Sequence, residues 1–386
     1  MKIIVVCGAG YVSGKEKIML SLLKGFAKDQ HDVFCITSTW GNGQFEELLE
    51  CEKINYAKLR IGFISKTFTL SALKMTMHQI LYLPKLLYNY AKIIRRFKPD
   101  VIIHSNFHHL FLLYPVIKAN GALNIYHNHE SIGDTKFYKG LFGLFNKKIA
   151  LFISVSEYVT GRLRKLGIPE HKLRTIHNGL EIVEYPPVSL GKDNVINIGV
   201  VGQVGGWKGH EDLVLSLEIL TKEGFTGQFK LSIFGTGDIV FLNELKDLIK
   251  QKGLEKFVEW EGFKKSLNEI YASLQLVCVP SRSEEPFATS VLEAGLFALP
   301  VIVTGKGGFP EMVAHGYNGF IVNANSPEEI AHYLRLLILD PNLLIKMGLN
   351  HRQTIYKNFS FPVFIAKWES MLSALTLKAT AFDRIQ

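Results

Sequence analysis

Short apolar runs alternate with stretches of helical periodicity along nearly the whole chain. KIIVVC (2–7), DVFCIT (32–37), DVIIHS (100–105), LNIYH (123–127) and LFISVS (151–156) read as buried strands. EKIMLSLLKGFAKD (16–29), residues 70–97 and LFLLYPVIKANG (110–121) read as the helices between them. A chain that alternates in this way folds into a parallel sheet with helices on both faces, because parallel neighbours need a crossover connection. The pattern breaks at EIVEYPPVSLGKDN (181–194), where paired prolines and charges replace periodicity, and then restarts. INIGVVGQV (196–204), FKLSIFGTG (229–237), FVEWEGF (257–263), LVCVPS (276–281) and PVIVTG (300–305) are the second series of strands, with a helix expected around 289–298. The reading is α/β: two Rossmann-like domains, 1–180 and 195–361, joined by a linker at 181–194. Ligands in such sheets bind beyond the carboxyl ends of the strands, so the glycine turns of both halves are expected to look into one cleft.

Charge is unevenly placed. Residues 1–190 hold 25 Lys+Arg against 14 Asp+Glu, and residues 191–386 hold 19 against 21, so the first half carries the whole of the net +9. That half is expected to meet something anionic. Nucleic acid is a poor candidate, since no RNA-binding motif or aromatic ladder accompanies the charge. The four cysteines, Cys7, Cys35, Cys51 and Cys278, have no metal-ligand spacing, and three lie in apolar runs, as buried thiols of a reducing compartment do. VIIHSNFHHLFLLYPVI (101–117) is the nearest approach to a membrane span and carries three His and an Asn. The start of the chain lacks the apolar region of a signal peptide. The expected location is the cytoplasm, with contact to the inner face of a membrane.

VVCGAGYVSGKEK (5–17) is a strand, a glycine-rich turn and a helix start, an arrangement that presents unpaired N–H donors to a phosphate. It is not a dinucleotide fingerprint. Gly14 comes one residue late for GxGxxG, and no acid closes the second strand. It is not a P-loop either, because Glu16 stands where a hydroxyl should hold magnesium.

The second half carries SEEPFATSVLEAGLFALPVIVTGKGGFPEMV (283–313), with Glu285 and Glu293 in an E-x7-E spacing. The segment between them turns from loop into helix, so N–H groups near Ala288–Val291 face an anion. Two carboxylates beside an anion site are poor anion ligands and good acceptors for sugar and ribose hydroxyls. Upstream, Gly202-Gln203-Val-Gly-Gly-Trp-Lys208-Gly209 is a second phosphate-type turn with a lysine, and Gly307-Gly308-Phe-Pro-Glu311 is a third.

Taken in order, Asn178-Gly179, Gly235-Thr-Gly237, Pro280-Ser281, Glu285 to Glu293 and Gly307 to Glu311 resemble the retaining glycosyltransferases of family four, of GT-B fold, over nearly the whole chain. The resemblance implies a nucleotide-sugar donor, UDP- or GDP-linked, held chiefly by the second domain. In it Glu285 contacts the sugar hydroxyls, Glu293 holds the ribose, Lys208 binds the diphosphate, and Ser281, Phe287, Ala288 and Thr289 line the donor. The first glycine turn, Ser13-Gly14-Lys15-Glu16, lies against diphosphate and acceptor, with Gly14 as the close-approach residue. The family usually has Arg where this chain has Gln203; Arg282, Lys306 and Lys15 are the cations that could supply the missing charge. A His near the donor sugar maps to His127 or His129, the second being preferred. Transfer is expected to retain the anomeric configuration and to require neither a metal nor another cofactor. A last helix, about 362–386, crosses back to the first domain with Phe364, Trp368 and Leu372 on one face.

The acceptor is expected to be a lipid-linked or cell-surface polysaccharide precursor. Lys136-Phe-Tyr-Lys139-Gly-Leu-Phe-Gly-Leu-Phe-Asn-Lys147-Lys148 places Phe137, Leu141, Leu144 and Phe145 at helical spacing, and Arg95, Arg96 and Lys98 end the long helix, a combination that suits anionic headgroups. A nucleotide-sugar epimerase of the same fold, or a non-catalytic nucleotide-sugar binder, are the alternatives. The base, framed near Phe263 and Ser281, is left open between uridine and guanosine.

Overall fold

The computed structural model describes residues 1–8, 12–62, 70–187 and 195–383. Gly10 of the first glycine turn and positions 188–194 of the expected linker lie outside the described residues. The chain divides into two compact units, Met1–Gly179 with Phe364–Gln386, and Leu180–Val363.

Unit 1 is built on strands β1 (Lys2–Val6), β2 (Asp32–Ser38), β3 (Asn55–Leu59), β4 (Val101–His104), β5 (Leu123–Asn128), β6 (Ile149–Ser154) and β7 (Leu173–Thr175). Every pairing is parallel, in the order β3-β2-β1-β4-β5-β6-β7. Ile3 to Val6 and Val101 to Ile103 are wholly buried, as strands covered on both faces must be. The order reverses between β1 and β4, and there the helix Gly14–Lys28 begins, with Ser13 and Glu16 forming a capping box. Its Ile18, Met19, Leu22, Leu23 and Phe26 recur at helical spacing and are buried.

The helix Phe361–Asp383 returns to this unit, with Phe364, Trp368 and Leu372 buried on one face. Trp368 meets Phe26 edge-on with centroids 6.0 Å apart, and both Glu369 oxygens lie 3.1 Å from His31 Nε2. The helix Lys136–Phe145 corrects its expected stripe. Phe142 and Phe145 enter the core, while Phe137 and Leu144 are exposed. The reason is tertiary: Phe142 completes an aromatic cluster with Phe145, Tyr126 and Phe152.

Unit 2 contains β8 (Ile196–Val201), β9 (Phe229–Phe234), β10 (Val258–Gly262), β11 (Leu276–Val279), β12 (Val301–Thr304) and β13 (Gly319–Val322), all parallel, in the order β10-β9-β8-β11-β12-β13. Its order reverses between β8 and β11. Strands β3, β7 and β13 are sheet edges that the sequence pattern does not announce. β3 carries polar residues along an edge, and β7 and β13 span three and four residues, too short to show a period.

Candidate active site

In unit 2 three turns converge beyond the carboxyl ends of β8, β11 and β12. The turn after β8 ends in a single 3-10 turn, Gly206–Lys208, closed by Gly209 at φ +71°. A side chain at Gly209 would also place its Cβ 2.0 Å from the Pro280 carbonyl, so the turn after β8 packs backbone to backbone on the turn after β11. The Trp207 carbonyl accepts from the Arg282 and Ser283 amides at 2.8 and 3.2 Å. The turn after β12 docks similarly: Gly307 has φ +60°, its Cβ would sit 2.1 Å from the Glu285 carbonyl, and the Gly308 amide donates to that carbonyl at 2.8 Å.

This framework brings Lys208 and Glu285 together across 77 positions of sequence, with Nζ 2.6 Å from Oε1. Ser281 Oγ donates to the same oxygen at 3.0 Å, and the Ser281 carbonyl in turn accepts from Thr304 Oγ1 at 2.8 Å. Both members of the ion pair are partly exposed, at 20% and 16%. The helix Thr289–Leu296 follows, with no side chain capping its N-terminus at Ala288. Glu293, on that helix, accepts from Tyr271 Oη at 2.7 Å, which orients its carboxylate. Burial and the Glu293 carboxylate push the Tyr271 hydroxyl pKa well up, so it acts as a donor. Sequence reasoning had no signal for Tyr271.

Two expected residues stand differently from their expectation. Phe287 is buried with its ring 5.7 Å from Phe359, so its backbone is what it can offer a ligand. Arg282 is spoken for: its guanidinium makes a bidentate pair with Asp212, at 2.7 and 3.0 Å, and a further contact with Glu211. Those carboxylates hold its pKa above the ordinary value and cancel its charge locally. Gln203 and Lys306 are exposed, and Thr289 is half-buried.

In unit 1 the residues at the ends of β1, β4 and β5 form a second polar group. His127 and His129 are brought together, with Nδ1 of the first 3.1 Å from Nε2 of the second. His127 is fully buried, and Trp368 of the last helix meets its ring edge-on at 5.0 Å. Burial pushes the His127 pKa down to about 3, and burial together with His127 and Lys15 lowers that of the half-buried His129. Both imidazoles are therefore neutral near pH 7. Gly14 opens the first helix, Lys15 Nζ is 3.2 Å from Glu16 Oε1, and Glu16 is wholly buried. Glu130, which the sequence reading passed over although it adjoins His129, accepts from Asn106 Nδ2 at 2.9 Å; burial raises its pKa. Among the described residues, no group of three or more His, Cys, Asp or Glu could hold a metal ion.

Two family models match the chain, glycosyltransferase family 4 over residues 12–184 and glycosyl transferases group 1 over residues 184–354. An uncharacterized glycosyltransferase of Methanocaldococcus jannaschii is 31% identical over 209 residues, covering 50% of this chain and 52% of that one. An uncharacterized glycosyltransferase of Haemophilus influenzae is 24% identical over 377 residues, 95% of this chain and 98% of that one. The putative colanic acid biosynthesis glycosyltransferase WcaL of Escherichia coli is 27% identical over 235 residues, 58% of this chain and 57% of that one. Two of these three alignments thus span little more than half of the relative. Among solved structures, HepE of Anabaena in complex with UDP and glucose superposes with a TM-score of 0.79 at 20% identity, over 97% of this chain and 99% of that one.

Proposed function

The chain belongs to the group 1 glycosyltransferases and has the GT-B fold, and on that premise we propose that unit 2 holds a nucleotide-sugar donor around the Lys208–Glu285 pair. That pair is the observation that carries the reading. A lysine in a backbone-docked glycine turn and an uncapped helix N-terminus supply positive potential for a diphosphate. The carboxylates of Glu285 and Glu293 supply acceptors for hydroxyls. Lys208 is worth most in the transition state, when the bond from the anomeric carbon to the diphosphate oxygen breaks and negative charge collects on the leaving group.

The acceptor hydroxyl attacks from the face the diphosphate leaves, its proton passes to a leaving phosphate oxygen, and the configuration is retained. The cationic side of this chemistry is assigned to Lys208 and backbone N–H groups, so activity is expected without added metal. His129, with His127 behind it, is assigned to the donor sugar. The acceptor is a glycan or lipid-linked glycan precursor of a cell-surface polysaccharide, a reading supported by the colanic acid relative and by the charge of the first half.

The test is thermal shift against UDP- and GDP-sugars with a chelator present, followed by transfer assays on the donor that binds. A shift with one base and none with the other identifies the donor class. No shift at millimolar donor would sink the assignment. Release of nucleotide or alteration of the sugar without any acceptor would replace transfer by epimerisation.

A further inference from the structure

The helix Leu70–Phe97 presents an apolar stripe to solvent. Leu70, Leu73, Met77, Ile80 and Leu81 follow one another at helical spacing, Tyr88 lies two turns (seven residues) beyond Leu81, and all six are exposed by between 52% and 75%. The opposite face of the same helix is the one that packs: Gln79, Leu86 and Tyr90 are wholly buried and Ile94 nearly so. One helix thus has two apolar faces, and the described residues of unit 1 cover one of them. Along one side of the exposed stripe run Lys74, Lys85, Lys92 and Arg96, all exposed. Between Glu52 and Asp100 the sequence has ten Lys or Arg and no Asp or Glu. Among the described residues no helix is long and apolar enough to cross a membrane.

We propose that this face of the helix Leu70–Phe97 lies in the interface of an anionic bilayer, with the stripe among the acyl chains and the basic row on the headgroups. The choice of a lipid surface over a protein follows from the pairing of stripe and charge. A second copy docked face to face would bring its own row of Lys74, Lys85, Lys92 and Arg96 against this one, and like charges within a Debye length repel. An anionic bilayer offers both an apolar phase and the opposite charge, and each basic residue near it adds to binding. The expected stripe of the helix Lys136–Phe145 does not serve as well, because its Phe142 and Phe145 are used by the core. The inference deepens the proposed function and rests on it for the lipid-linked acceptor that a membrane location would serve.

The experiment is co-sedimentation of the full chain with phosphatidylglycerol–phosphatidylcholine vesicles and with phosphatidylcholine vesicles. The same preparations are compared for thermal melting and for UDP binding, which reports on the donor reading separately. The unaltered chain is expected to sediment with the anionic vesicles only. Leu73→Asp/Leu81→Asp is expected to lose about tenfold or more of that binding while keeping its melting temperature and UDP affinity, since both side chains are exposed. Phe137→Asp/Leu144→Asp is expected to retain it. The proposal is overturned if the chain ignores anionic vesicles, or if the Leu73/Leu81 variant binds them as before. It is also overturned if light scattering shows a lipid-free dimer that this variant dissociates, which would make a second copy the occupant. Loss of UDP binding in the unaltered chain would instead overturn the donor reading.

Discussion

The Lys208 ammonium lies 2.6 Å from Glu285 Oε1, and the Ser281 hydroxyl donates to that same oxygen at 3.0 Å. On the proposed function, the ammonium assigned to a diphosphate already has an anionic partner. A nucleoside diphosphate at this place would compete with Glu285 for Lys208, leaving the carboxylate the Ser281 hydroxyl and, when a donor sugar is bound, the sugar's hydroxyls.

Glu285→Gln follows from this competition. A hydrogen bond to a charged group contributes about 1.5–3 kcal/mol, and with Lys208 20% exposed the lower end applies. Removing the carboxylate charge is expected to tighten free UDP by about tenfold while transfer falls by about a hundredfold or more. Calorimetry with UDP and a transfer assay check the two halves. Weaker UDP binding in the variant would show that Glu285 does not compete for Lys208.

Gln203→Arg tests the missing charge. Gln203 is exposed beside the Lys208 turn, and the nearby Arg282 is neutralised by Asp212 and Glu211. A cation at 203 is expected to raise kcat/KM by up to about tenfold, with the gain shrinking at high salt. An unchanged kcat/KM at low salt would mean that the diphosphate lies out of reach of position 203.

Trp368→Ala tests the attachment of the last helix. Trp368 is wholly buried between Phe26, His127 and Phe364. Truncation of so large a buried side chain is expected to cost about 3–5 kcal/mol, read as a lower urea midpoint for unit 1. Trp368→Phe should recover much of it. The His127 imidazole resonance should shift in both variants, because its ring neighbour changes.

Acid stability should reflect the buried histidines. Burial holds the pKa of His127 at about 3 and those of His104, His210 and His351 at about 4, below the ordinary value near 6.5. Between those values and pH 6.5 the unfolded chain binds protons that the folded chain does not. Stability is therefore full above pH 6.5 and falls as pH drops, by up to about 1.4 kcal/mol per pH unit for each such group. Urea midpoints measured from pH 8 to pH 4.5 check the sign. His351→Gln should flatten the slope below pH 6. A flat profile in the unaltered chain would contradict the burial of these rings.

Much of the molecule was legible in the sequence because it is set by local periodicity. The parallel strands other than β3, β7 and β13, the glycine turn before Lys208, the helix after Glu285 and the apolar face of Phe364, Trp368 and Leu372 all follow from patterns a few residues long. What the sequence could not determine is which partner each group meets. Arg282 pairs with Asp212 seventy positions away, Tyr271 orients Glu293, and Trp368 closes over His127; none of these relations leaves a local trace. The same limit applies to the two amphipathic helices of unit 1. Periodicity shows that a helix has an apolar face, because side-chain spacing is a property of the chain. Whether that face is covered depends on what the rest of the fold brings against it. Phe142 and Phe145 found a cluster, and the stripe from Leu70 to Tyr88 found none among the described residues.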